Sequence, residues 1–96
     1  MFSFLNFIAE AKSAYREISD LAHHQSNQAN RLSKLAERSN NPEHHRHARD
    51  AHERAYDLHG LAYTEAPSDL RRNHHREMRD KHNEAAIYHD LKWRTL

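Results

Sequence analysis

Eleven of the 96 residues are histidine, and six of these fall in two columns with a seven-residue period: His45, His52 and His59, then His75, His82 and His89. An imidazole titrates near neutral pH, hydrogen-bonds through two distinct nitrogens, and ligates zinc, nickel or copper. Composition excludes most other chemistry. There is no cysteine for a thiol nucleophile, a zinc knuckle or a disulfide, and the single glycine, Gly60, rules out a phosphate-cradling loop. Serine, histidine and aspartate are all present. Nothing in their spacing places a nucleophile beside an oriented base and an oxyanion hole, so the chain reads as non-enzymatic.

The histidine spacing constrains where a metal could sit. No two histidines stand four apart, and His44-x-x-His47 is the one short helical pair. Column neighbours seven residues apart on a helix lie about 10.5 Å from each other and cannot share an ion. There is no Glu-x-x-His motif of the di-iron type. The metal site the sequence predicts is a layer built by three helices: His23 or His24, with His59 and His75, near Asp20, completed by water as in an open zinc site. The alternative use of the two columns is packing. Paired imidazoles can act as medium-sized core residues whose hydrogen bonds fix the helix register.

Two punctuation points define the elements that position these side chains. In Ser39-Asn40-Asn41-Pro42-Glu43, Asn41 suits an N-cap, Pro42 the first helical position and Glu43 the first turn. In Ala66-Pro67-Ser68-Asp69, Pro67 stops one helix and Ser68 or Asp69 caps the next. The intervening stretches are rich in Ala, Leu, Glu, Arg and Lys, while Val is absent and the β-branched residues number three Ile and two Thr. The expectation is an all-α, single-domain antiparallel three-helix bundle with a long first helix, spanning about 2–39, 42–66 and 68–94.

The first helix carries its own heptads. Ile8, Tyr15, Ala22, Ala29 and Ala36 form one column, Phe4, Ala11, Ile18, Gln25 and Leu32 a second, and Ser19, Ser26 and Ser33 a third. Residues 44–63 align with 74–93, and nine of the 20 positions are identical, which reads as a duplicated helix. Folding back at the two turns pairs His59 with His75, His52 with His82 and His45 with His89. It also sets Ser33, Ser26 and Ser19 against Ala48, Ala55 and Ala62.

The same geometry leaves residues 1–14 overhanging the hairpin. Phe2, Phe4, Leu5, Phe7 and Ile8 there form a candidate interface for a homo-oligomer or a protein partner. Nucleic-acid or nucleotide binding is the weaker alternative. The stretches His44 to Arg49 and Arg71 to Arg76 are basic, yet Asp50, Glu53, Asp57, Glu77 and Asp80 lie among them, and the net charge is +1. No apolar run is long enough to span a bilayer, and the apolar start lacks a basic leader and a small-residue cleavage site, so cytoplasmic residence is expected.

The tract Ala48-Arg49-Asp50-Ala51-His52-Glu53-Arg54-Ala55 to His59, with His82-Asn83-Glu84-Ala85 to His89, resembles helical segments of small bacteriophage-encoded proteins. That resemblance implies an assembly or host-interaction role in a virion or a host cytoplasm, and it implies no functional residues.

Overall fold

In a computed structural model, which describes residues 4–96 with side chains described from residue 14 onward, the chain forms three helices: α1 (Phe4–Ser39), α2 (Pro42–Glu65) and α3 (Asp69–Thr95). The boundaries follow from local chemistry. Asn40 closes α1 in the left-handed region at φ 52, a conformation that asparagine tolerates, and its N–H donates to the Ala36 carbonyl at 2.9 Å. The Asn41 side chain accepts from the Glu43 N–H at 2.9 Å, and Pro42 follows at the first helical position. Ala66 is extended before Pro67, which ends α2, and Ser68 Oγ then accepts from the Arg71 N–H at 3.3 Å to start α3.

The three helices make an elongated bundle of 59 × 20 × 16 Å, in which α2 packs closely against both α1 and α3. Its core is unusual in kind. Ala22, Ala29, Ala36, Ala48, Ala51, Ala55 and Ala62 are fully buried, and Tyr15 packs against Ala62 and Ala66 at one end. The largest fully buried side chains are His45, His59 and His75, whereas Leu21, Leu61, Leu70, Ile87 and Leu91 each stay more than half exposed. Small alanines on α1 and α2 let the backbones approach, and the rings of the histidine columns fill the space that leucine would normally occupy.

Gly60 sits inside α2 with ordinary helical backbone. No helix among the described residues is long and apolar enough to cross a membrane.

A histidine and serine hydrogen-bond file as candidate functional site

The six column histidines are 0–3% exposed and meet in pairs across α2 and α3. His59 Nδ1 lies 2.8 Å from His75 Nδ1, His52 Nδ1 lies 2.7 Å from His82 Nδ1, and His45 Nδ1 lies 2.8 Å from His89 Nδ1. These are the pairings that folding at the two turns requires. Every ring therefore turns Nδ1 toward its partner and leaves Nε2 facing α1.

Two hydroxyls of α1 receive those nitrogens. Ser26 Oγ stands 2.7 Å from His59 Nε2 and 2.8 Å from His82 Nε2. Ser33 Oγ stands 2.6 Å from His52 Nε2 and 2.8 Å from His89 Nε2. At the end of the row Tyr15 Oη lies 2.8 Å from His75 Nε2, with Ser19 Oγ further off at 3.4 Å. The result is one unbroken file running Tyr15, His75, His59, Ser26, His82, His52, Ser33, His89, His45.

The serine hydroxyls find partners beyond the alanines counted opposite them: Ser33 bonds His52 and His89, and Ser26 bonds His59 and His82. Side chains on a helix lean toward its N-terminus and cover the turn before their own Cα. His52, four residues beyond Ala48, therefore reaches back to the level of Ser33. The duplicated sequence adds a local two-fold. Ring centroids in the three pairs are 5.1, 4.9 and 5.1 Å apart at 38, 39 and 38°. Arg49 lies over Trp93 at 4.8 Å, and its repeat equivalent Arg79 lies over Tyr63, the equivalent of Trp93, at 5.5 Å.

Each member of the file has one proton to give when its imidazoles are neutral. Two arrangements satisfy every link. In one, Tyr15 donates to His75 and the donation runs on to His45, with α3 histidines protonated on Nδ1 and α2 histidines on Nε2. In the other, donation runs from His45 toward Tyr15 and every ring carries its proton on the opposite nitrogen. Neutral rings are what the environment favours. Burial lowers the pKa of His59 to about 3 and of His52 and His75 to about 4, and it also lowers those of His82 and His89. Protonating one ring also raises the cost of protonating the next, since His82 and His89 would repel His52, and His74 and His23 would join Arg71 in repelling His75, while Glu37 pulls His89 the other way.

The rings of the predicted layer come together, with the His23 centroid 5.4 Å from His59 and 5.6 Å from His75 and those two 5.1 Å apart, but their nitrogens are directed elsewhere. His24 is exposed, and His23 turns to His74, with their Nε2 atoms 2.9 Å apart. His59 and His75 spend both nitrogens inside the file, so the donors of His23, His24, His59 and His75 do not converge on one point. The structure instead brings together Glu37, His45 and His89, with one ligand atom of each within 4.8 Å of the others. Sequence reasoning missed this group because Glu37 lies outside the histidine columns. Its signal was position: Glu37 falls four residues after Ser33, on the turn of α1 that follows Ser33's contact with His89.

The candidate interface of Phe2, Phe4, Leu5, Phe7 and Ile8 lies outside the residues whose side chains are described. Aromatic residues of α2 and α3 serve arginines: Tyr56 and Tyr63 flank Arg79, and Trp93 flanks Arg49. The basic stretches are neutralised locally. Arg46 pairs with Glu43, Arg72 with Asp69, and Arg49 with Asp50 and Asp90. No family model matches the chain, and neither a curated protein nor a solved structure matches it.

Proposed function

We propose that this chain acts by binding and not by chemistry, as a helical module that pairs with a second copy through the outer face of α1. The observation that carries this reading is the placement of the aliphatic residues: among the described residues no leucine or isoleucine is buried. On α1, Ile18, Leu21, Gln25, Gln28, Leu32 and Leu35 follow alternating three- and four-residue steps, one residue ahead of the inward seam of Tyr15, Ser19, Ala22, Ser26, Ala29, Ser33 and Ala36. By sequence the same steps run back through Ala14 and Ala11 to Phe7 and Phe4. Such spacing is a coiled-coil seam, and polar residues in its middle fix partner register.

The histidine file makes that module sensitive to acid, since its rings fold as neutral groups. Sedimentation equilibrium at pH 7.5 and 5 tests the reading. A dimer at the higher pH that gives way to unfolded monomer at the lower supports it, and a monomer at pH 7.5 and about 100 μM, some tenfold above a 10 μM dissociation constant, overturns it.

A further inference from the structure

We propose that Glu37, His45 and His89 bind one divalent transition-metal ion of the zinc class, and that binding there fixes the direction of the whole hydrogen-bond file. This goes beyond the assembly reading and does not depend on it. Three features single out this end of the ladder. All three pairs of Nδ1 atoms approach to 2.7–2.8 Å, but among the described residues only His45 and His89 join a carboxylate in a group whose ligand atoms lie within 4.8 Å of one another. Glu37 is exposed while His45 and His89 are buried, so the site has a charged, solvent-facing mouth and an imidazole floor. A surface groove lined by Ser33, Lys34, Glu37, Arg38, Tyr88 and His89 leads to it.

The donor set suits zinc, nickel or copper, and a fourth position would fall to water. Tetrahedral zinc holds two imidazole nitrogens about 3.3 Å apart, so the Nδ1 atoms must separate by about half an ångström. The ion takes the place of the hydrogen bond that these two nitrogens share. Coordination needs a lone pair on each Nδ1, so both rings must carry their proton on Nε2. For His89 that nitrogen faces Ser33, and it must now donate there. Ser33 then donates to His52 Nε2, and His52 to His82 through Nδ1. His82 donates to Ser26, Ser26 to His59, His59 to His75, and His75 Nε2 to the Tyr15 oxygen. No proton is gained or lost, since each ring keeps one on a defined nitrogen. An ion at Glu37 thereby sets the tautomer of His75, two heptads or about 21 Å away.

Two measurements on the full chain test this with zinc(II) as the probe. Isothermal titration at pH 7.5 is expected to show one ion per chain, with Glu37→Gln weakening it by about tenfold or more and His74→Ala leaving it unchanged. Glu37 is exposed and outside the core, so that variant keeps the fold. Long-range proton–nitrogen NMR reads the protonated nitrogen of each ring. With zinc, His75 and His82 are expected to show a single Nε2–H form and His52 and His59 a single Nδ1–H form. The site is overturned by absence of binding at 1 mM zinc, by unchanged affinity in Glu37→Gln, or by loss of binding in His74→Ala. The directional effect is overturned if ring tautomers at saturation match those without metal.

Discussion

His52 and His82 occupy equivalent positions in the duplicated helices, and their Nδ1 atoms meet at 2.7 Å on the local two-fold between α2 and α3. Around this pair the other two exchange places, as residues do across a symmetric dimer interface. The hairpin thus has the geometry of an antiparallel pair of identical helices joined by the turn at Pro67. Its centre is polar, dry and satisfied only while the rings are neutral.

That condition gives the pH dependence. His59, His52 and His75 have folded pKa values of about 3, 4 and 4, below the 6.5 of an unfolded histidine. Above pH 6.5 both states are neutral and stability is fully present. Below it the unfolded chain binds protons that the folded chain refuses, and stability falls until pH approaches the folded values. Each such ring costs about 1.4 kcal/mol per pH unit, and three together cost about 4. A domain stable by roughly 5–15 kcal/mol cannot absorb much of that. Circular dichroism between pH 7.5 and 4 is expected to show cooperative loss of helix centred between about pH 6 and 5. Helicity unchanged down to pH 4 would contradict the neutral file.

Ser26 is the hydroxyl that joins the His59–His75 pair to the His52–His82 pair. Ser26→Ala strands two buried Nε2 atoms and is expected to destabilise the fold by about 2–3 kcal/mol in urea denaturation. Ser19→Ala, whose hydroxyl stands 3.4 Å from His75, is expected to cost under about 1 kcal/mol. Equal effects at the two positions would show that the short links have no special weight.

Gly60 is a helix-interior glycine with space for a methyl group. A Cβ there meets Arg79 Cδ at 3.8 Å, an ordinary contact. Gly60→Ala is expected to stabilise the protein by about 0.5–1 kcal/mol and raise Tm by about 2–8 °C. A lowered Tm in calorimetry would mean that α2 needs the freedom of glycine at this point.

The outer seam of α1 can be tested without touching the core. Leu21 and Leu35 are 57% and 39% exposed. The double change Leu21→Glu and Leu35→Glu is expected to weaken self-association by more than about a hundredfold while helicity at pH 7.5 is retained. Sedimentation beside circular dichroism separates the two effects, and an unchanged association constant would remove this face from the interface.

Much of the fold was legible in the chain, for local reasons. Asn41-Pro42 and Pro67-Ser68 marked both turns, and the helix lengths between them determined which histidines meet. The hydroxyl partners were not legible from the same arithmetic. Levels along a helix count Cα atoms, whereas a histidine ring reaches a full turn back, so His52 bonds Ser33 although Ala48 is counted opposite it. The predicted metal layer was legible in part. Counting layers placed His23, His59 and His75 together, and their rings do meet, but ring direction was not legible: His23 turns to His74 and the others to the file. Glu37 escaped notice because a lone carboxylate on an exposed turn has no periodicity.

A ladder with a seven-residue repeat carries a hidden ambiguity. Sliding α1 by one heptad would bring each serine to a new pair of rings, and most rungs would re-form at similar cost. What distinguishes the native alignment is its two irregular ends. Ala66 stands where the α2 column would hold a fourth histidine, and Tyr15 reaches across that gap to His75. These two residues act as a vernier stop beside the short turn at Asn40-Asn41: one removes a ring, the other supplies a close hydroxyl, and both fit the offset that the turn already imposes. Replacing Tyr15 by a smaller residue would leave the serine rungs intact and His75 Nε2 without its short partner.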